Sequence, residues 1–506
     1  MSDGVLRNGS GVPLAAVPTL LPPAFAAWIS AGVAKGHRIA SYFGAAAQSE
    51  DTVQLFAVLA DDDTSELNIA RTVVGDNGFA SISETVPQAE LFEREIAEQF
   101  GLRPVGHPWF KPVRFHRSYR SGHDAWNRPA DAPILPGVTD FFTVAGDEVH
   151  EVAVGPVHAG VIEPGHFRFQ CHGEHVFHLE IALGYQHRGV ERALIGGPNK
   201  RTIHYMETVA GDTTIGHTLA YCHLVEALTS TPVFARAQVI RGIALELERL
   251  ANHVGDLGAL AGDVAYLPTA SFCGRLRGDF LNMTAELCGS RFGRGLVRPG
   301  GVGFDATTGQ IEDLRARLVR ANKEVTEAVE LLWDTPTVVD RFENTGRVTR
   351  EEAESIGLVG PAARACGILR DVRHDFPLGI YRFVHVPAMT AHHGDVNSRA
   401  FVRWLEVQQS IQFILEQLDA IPVNGIRNDV GPMAASSIAV SLIEGWRGEI
   451  CHVAITDEDG ALARYKIIDP SFHNWFGLAL ALRGEQISDF PLCNKSFNLS
   501  YCGHDL

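Results

Sequence analysis

The chain contains no C-x-x-C sequence: its eight cysteines stand at 171, 222, 273, 288, 366, 451, 493 and 502. Zinc ribbons, thioredoxin-type redox pairs and iron–sulfur runs need that spacing, so none is expected. A disulfide framework is not expected either, because such frameworks belong to short exported chains and this one has 506 residues. Basic charge is scarce. Lys and Arg number 43 against 60 Asp and Glu, a formal charge of −17 that disfavours general affinity for nucleic acid or anionic headgroups. No G-x-G-x-x-G or G-x-x-x-x-G-K run is present, so the usual backbone cradles for nucleotide phosphates are missing. Long apolar runs are missing too. Residues 11–34 carry no charge, but Pro13, Pro18, Pro22 and Pro23 interrupt them. No stretch reaches the roughly 18 apolar residues of a spanning helix, so any membrane role is expected to come through partners.

The remaining composition is that of an ordinary globular protein, with 45% hydrophobic residues and 50 glycines. Its patterning predicts an α+β chain: a small N-terminal α/β domain, then a large, mainly helical domain entered through a β-hairpin and closed by a small C-terminal sheet. Residues 1–24 read as a tail. In 25–116, Val53–Ala60 and Ala80–Val86 read as strands, Glu66–Val74 has helical character, and Gln88–Phe100 is a surface helix. Residues 117–148, rich in Ser, Gly, Asp and Pro, read as a connector. From 149 to 506 the second domain begins with Phe167, Phe169 and Cys171 alternating before a turn at His172-Gly173, and Phe177, Leu179 and Ile181 alternating after it. Three apolar stripes then recur at threes and fours: Val239 to Leu257, Ile311 to Leu332 and Trp404 to Ile421. Residues 449–468 return to strand-like alternation.

Ten histidines fall between 150 and 223, where imidazoles could handle protons or ligate metal. Several, such as His166, His172 and His178, sit at polar strand positions that need no function, and H-E-x-x-H is absent. The segment His187-Arg188-Gly189-Val190-Glu191-Arg192 reads either as a solvated helix start or as a cationic face toward a buried redox or anionic group. The run Arg364, Arg370, Asp371, Arg373 and Asp375 carries the same two readings.

Short motifs agree in order along most of the chain. They are Gly155-Pro156-Val157-His158, Glu163-Pro164-Gly165-His166-Phe167-Arg168, and Gly184-Tyr185-Gln186-His187-Arg188-Gly189-Val190-Glu191. Glu246-Leu247-Glu248-Arg249 with Asn252-His253, Arg298-Pro299-Gly300-Gly301-Val302, Arg364-Ala365-Cys366-Gly367 and Gly394-Asp395 follow. This series resembles the large subunit of membrane-bound, energy-converting (group 4) NiFe hydrogenases, of the formate hydrogenlyase and hydrogenase-4 type, and its quinone-side counterpart in respiratory complex I. Glu93-Arg94-Glu95-Ile96 with Gly106-His107-Pro108 resembles the small peripheral-arm subunit often fused to it.

The departures from the family pattern are specific. Active relatives hold nickel and iron through two C-x-x-C pairs, soft thiolates being what those metals need. The resemblance places Ala210 and Thr213 at the early pair and Ser500 and Gly503 at the late one, with Cys502 one position out of register. It therefore implies no NiFe centre and no cofactor firmly bound by this chain. Relatives that reduce quinone use a histidine and a tyrosine. His166 matches the histidine and Gly211 stands at the tyrosine, so His158, His166, Arg188 and Gly211 would line an altered quinone-like cavity. Glu163 matches a magnesium position. Arg188 and His253 match positions beside the iron–sulfur (4Fe-4S) cluster of a partner. His253 is equally read as one end of an interhelical hydrogen bond.

The resemblance implies a peripheral-arm subunit of a complex I-like oxidoreductase on the cytoplasmic side of the cytoplasmic membrane. It would pack with a small iron–sulfur subunit, a membrane subunit and antiporter-like subunits, and bind no nucleic acid. Its role would be to shape the cavity beside the partner's cluster and to couple electron arrival to proton movement. Two rivals stand beside this: a catalytic hydrogenase or NADH/quinone oxidoreductase subunit with atypical ligands, and a non-redox structural or assembly subunit. The ending Gly503-His504-Asp505-Leu506 leaves little peptide for the C-terminal processing that accompanies nickel insertion.

Overall fold

A computed structural model describes residues 4–47, 49 and 51–506. The chain mixes helices with several small sheets. One sheet runs antiparallel in the order Val5–Leu6, Glu66–Gly75, Thr52–Asp61, Arg38–Ala46, with helices Pro22–Ala34 and Glu90–Phe100 against it. A second orders Leu462–Ile468, Gly448–Thr456, Ser437–Gly445 and Ser10–Pro13. The first residues thus behave unlike the expected tail: within nine residues they add an edge strand to each of two sheets.

Two local expectations are corrected. Glu66–Gly75 is a strand, not a helix. Its apolar positions Leu67, Ile69, Ala70, Val73 and Val74 mimic helical spacing, but ten consecutive pairs with Thr52–Asp61 prevail, aided by β-branched Ile69, Thr72, Val73 and Val74. Ala80–Val86 is not a strand beyond Ala80. The buried Glu93 carboxylate gathers the Ser81 and Ser83 hydroxyls and the Ile82 N–H, so those groups bond to a side chain instead of a ladder. The 166–182 hairpin and the three long helices Ala235–Asp263, Thr308–Trp333 and Val396–Asp419 form as their spacing predicts. A helix forms over Glu90–Phe100 as well, but it is not a surface helix: Glu93, Glu95 and Glu98 are buried with Phe92 and Ile96, each carboxylate being satisfied by hydrogen bonds or an ion pair inside the protein. A third strand, Val149–Val154, extends the hairpin into a three-stranded sheet. Residues 117–148 hold no helix or strand. No helix among the described residues is long and apolar enough to cross a membrane.

The C-terminal sheet lies between two cores. Every residue of Ser437–Gly445 and Gly448–Thr456 is buried. Ile438, Val440 and Leu442 face a core built with Phe43, Phe56 and Phe92 of the N-terminal unit, while Ala439 and Ile443 face the helical core. Alternation sends successive side chains to opposite faces, and here both faces are covered. Charge also crosses this junction. Lys466 Nζ lies 2.6 Å from Glu95 and 2.8 Å from Glu191, all fully buried. Arg114 pairs with Glu95 as well, and Arg464 reaches Glu191 at 3.1 Å. Buried ion pairs that satisfy one another fix geometry more than they add stability.

Candidate functional site

The 208–213 loop, just before helix Thr214–Thr229, meets the short C-terminal helix Tyr501–Asp505 at one recess, and Arg188 joins them. Its guanidinium donates to the carbonyls of Thr208 (2.6 Å), Val209 (2.9 Å) and Cys502 (2.9 Å). Arg188 itself is exposed, as is Gly211, and a side chain at Gly211 would meet nothing within 4 Å. The motif around Arg188 is anchored behind it: the His187 ring bonds the Asp505 carbonyl at 2.7 Å, and Glu191 is the buried partner of Lys466. The reading of this motif as a solvated helix start therefore fails at Glu191.

The four positions that the resemblance matches to nickel ligands lie on these two segments, and none of them carries sulfur. Ala210 is buried and apolar. The Thr213 hydroxyl sits between the Asp212 carboxylate (3.2 Å) and the Trp446 indole N–H (3.1 Å). Ser500 caps the last helix, accepting from the Gly503 N–H at 2.9 Å. A Cβ at Gly503 would lie 2.6 Å from the Asp469 carboxyl carbon, so this carboxylate occupies the space a fourth thiolate would need. Hard oxygens, a methyl group and a bare backbone do not fit a bimetallic thiolate centre.

Behind the recess lies a polar network that no local spacing announces. Arg447 clamps Asp212 with both terminal nitrogens, at 2.6 and 2.7 Å. Burial opposes ionisation of Asp212, but Arg447 outweighs it and holds the carboxyl below its ordinary range. His217 bridges Asp469 (3.0 Å) and His452 (3.0 Å), and His452 continues to the Tyr465 hydroxyl at 2.9 Å. Glu248 accepts the N–H groups of Ile215 (2.7 Å) and Gly216 (3.2 Å), the first turn of helix Thr214–Thr229. Burial and the Asp212 charge push Glu248 up to about 8, against those two donors.

The other expected residues are placed as follows. His158 bonds the Gly165 carbonyl at 2.9 Å. His166 is half-buried beside Arg168, and burial with that cation lowers its pKa. The loop carrying both packs on Tyr501, whose ring limits any side chain at Gly165. Through Gly165 this loop reaches the C-terminal helix that Arg188 also contacts, while His158 and His166 themselves bond Gly165 and Arg168. Glu163 is exposed, and no group of three potential metal ligands occurs among the described residues. His253 is fully buried, its Nε2 2.9 Å from Glu406 between helices Ala235–Asp263 and Val396–Asp419, and its Nδ1 has no partner among the described residues. The interhelical hydrogen bond is therefore present. The Arg364 to Asp375 run is structural at its core: Arg364 bonds Glu406 (2.7 Å) and Glu444 (2.9 Å), and Arg373 bonds Asp371 (2.6 Å) and Glu246 (3.1 Å).

Two family models match the chain. Respiratory-chain NADH dehydrogenase 30 Kd subunit covers residues 33–126, and respiratory-chain NADH dehydrogenase 49 Kd subunit covers 263–436. Formate hydrogenlyase subunit 5 of Escherichia coli (strain K12) is 30% identical over 436 residues, 84% of this chain and 76% of its own. Carbon monoxide-induced hydrogenase of Rhodospirillum rubrum is 29% identical over 350 residues, 69% of this chain and 97% of its own. NADH-quinone oxidoreductase subunit 4 of Thermus thermophilus is 28% identical over 369 residues, 68% of this chain and 90% of its own. These relatives are subunits of hydrogenase and NADH-quinone oxidoreductase complexes, and the sequence places the chain in that class of protein. The chain belongs to the group 4 hydrogenase and complex I family, with the 30 Kd-type and 49 Kd-type portions fused in one polypeptide.

Proposed function

We propose that this chain is the peripheral-arm subunit of a hydrogenase-related, complex I-like membrane oxidoreductase, and that it carries no NiFe centre of its own. It shapes the recess beside a partner's iron–sulfur cluster and couples electron arrival there to proton movement. The observation that carries the reading is Arg188: an exposed cation laced to the backbone of both former ligand segments, which keeps the recess formed without a metal to bridge it. The fused family architecture supports partner subunits of the kind found in its relatives.

The chain's own residues supply the chemistry this role needs. Arg188 holds positive charge at the recess, which favours a reduced anionic neighbour. Glu248, with a pKa near 8, changes charge close to neutrality at the wall of the recess, next to the Arg447-held Asp212. A carboxyl that titrates there can take up a proton when negative charge arrives and release it afterwards. Purification of the tagged full chain from membranes of its source organism tests the assignment. An iron–sulfur subunit with a membrane subunit should accompany it, and the iron of the complex should be accounted for by that partner. Isolation of the chain without either would remove this reading.

A further inference from the structure

Beside the Arg188 recess, the 198–208 segment meets the 290–298 turn, and cations gather where they join. Glu207 ties the two together. Its carboxylate accepts the Gly295 N–H (2.8 Å) and the Arg298 guanidinium (2.7 Å), and the His204 ring lies 3.2 Å from it. Thr208, the next residue, offers its carbonyl to Arg188, so the edge of the recess runs on into this face. Burial opposes ionisation of Glu207, but the Arg298 bond outweighs it and holds the carboxyl below its ordinary range. This anion is therefore already committed inside the protein.

Four further cations here have no such partner. Arg188, Lys200, Arg201 and Arg294 are all exposed, and none forms an ion pair with a carboxylate among the described residues. Exposed arginines on other helices are matched: Arg275 pairs with Asp279 and Arg350 with Glu354, each one turn away. Around the recess, five cationic side chains stand about a single carboxylate, in a chain whose formal charge is −17. Like charges spread over a wet surface repel little, so the face persists unpaired, and it gains most from a surface that brings anions to it.

The neighbours of these cations favour a protein partner over a lipid one. A side chain at Gly295 would meet Phe304 at 3.3 Å and Arg298 at 3.7 Å, so the exposed Phe304 ring stands among the cations. Arginine with an aromatic ring is the composition enriched in protein interfaces, and carboxylates meet arginine in two-pronged pairs. An anionic bilayer would draw the same cations but repel the negative remainder of the chain.

We infer that Lys200, Arg201, Arg294 and Phe304 form the docking face for a carboxylate-rich surface of the iron–sulfur subunit proposed to cover the recess; the inference rests on that assignment. Aspartates and glutamates of the subunit pair with these cations at the rim, leaving Arg188 turned toward the cluster.

The complex carrying the tagged full chain, purified from membranes of its source organism, is treated with a water-soluble carbodiimide, which joins a lysine amine directly to a touching carboxylate. Mass spectrometry should find Lys200 joined to an Asp or Glu of the iron–sulfur subunit. Arg201→Glu with Arg294→Glu reverses two exposed charges, so the chain should melt as wild type does. The subunit recovered with it should fall at least about tenfold, because like charges then face each other across the interface. Arg201→Lys with Arg294→Lys keeps the charge and should restore most of the recovery. Wild-type chain that purifies without the subunit removes both the functional reading and this inference. Where wild type keeps the subunit, the inference alone is overturned if the charge-reversed pair keeps as much, or if Lys200 joins only carboxylates of its own chain. Binding of the full chain to vesicles of phosphatidylcholine with one-third phosphatidylglycerol, lost on charge reversal while the subunit stays, assigns the face to lipid and overturns it equally. Should the reversed pair fail to fold, the Lys200 cross-link decides alone.

Discussion

Replacing Lys466 by Met removes the one cation shared by Glu95 and Glu191, three side chains with 0–2% exposure that join the two units. Arg114 and Arg464 remain, one near each carboxylate, so the formal charges balance, but both buried carboxylates lose the ammonium and its hydrogen bonds. Breaking a buried pair from one side costs about 3–5 kcal/mol. At roughly 2 cal/mol/K of unfolding entropy per residue, a chain this long unfolding as one unit carries about 1 kcal/mol/K, so Tm should fall by about 3–5 °C. The pH dependence sharpens the test. Burial opposes ionisation of both carboxyls, yet Lys466 and the arginines hold them below their ordinary range in the native protein. Their stabilisation is therefore present above the usual carboxylate range and lost as pH falls through it. In Lys466→Met one carboxyl rises and takes up a proton, so the deficit against wild type should narrow from pH 7 to pH 5. Differential scanning calorimetry at both pH values reads this out, and adding Glu191→Gln should restore part of the loss at pH 7. A Tm within about 1 °C of wild type at pH 7, or a deficit that widens on acidification, would refute the reasoning.

Other predictions concern the recess. Glu248 is raised in the folded state, so its ionisation opposes folding: relative to Glu248→Gln, wild-type stability should decline from about pH 5 to pH 8, by at most ~1.4 kcal/mol per pH unit. Urea unfolding across that range measures it, and parallel profiles would sink the assignment. Arg188→Ala should leave global stability nearly unchanged but speed hydrogen exchange at 208–213 and 501–506, since three carbonyl contacts disappear. Gly503→Cys should cost about 1–3 kcal/mol by displacing Asp469, and the same substitution should cost less in an Asp469→Gly background, which has already lost the His217 bond. An equal cost in both backgrounds in urea titrations would mean that Asp469 does not occupy the thiolate's place.

The long helices were legible because Val239–Leu257 and Ile311–Leu332 carry unbroken apolar stripes that one core demands. Glu66–Gly75 was not, because its apolar positions mimic helical spacing and its pairing with Thr52–Asp61 leaves no local signal. The strand Ser437–Gly445 gave no alternating signal because both its faces are covered. Arg188 and the four positions matched to nickel ligands stood in contiguous motifs, so the resemblance alone could single them out. Asp469, His452 and Glu248 could not. Asp469 and His452 approach His217 from more than 230 residues away, and Glu248 enters from the middle of a helix whose pattern reports only its buried stripe.

In the proposed function the family scaffold is kept without the thiolates that would hold a NiFe centre. Nickel content of the purified full chain, produced in a nickel-supplied host that matures group 4 hydrogenases, tests this most directly. Nickel far below one atom per chain is predicted, because the substituted positions offer no thiolates to hold it. One nickel per chain, surviving gel filtration in the presence of a chelator, would contradict it.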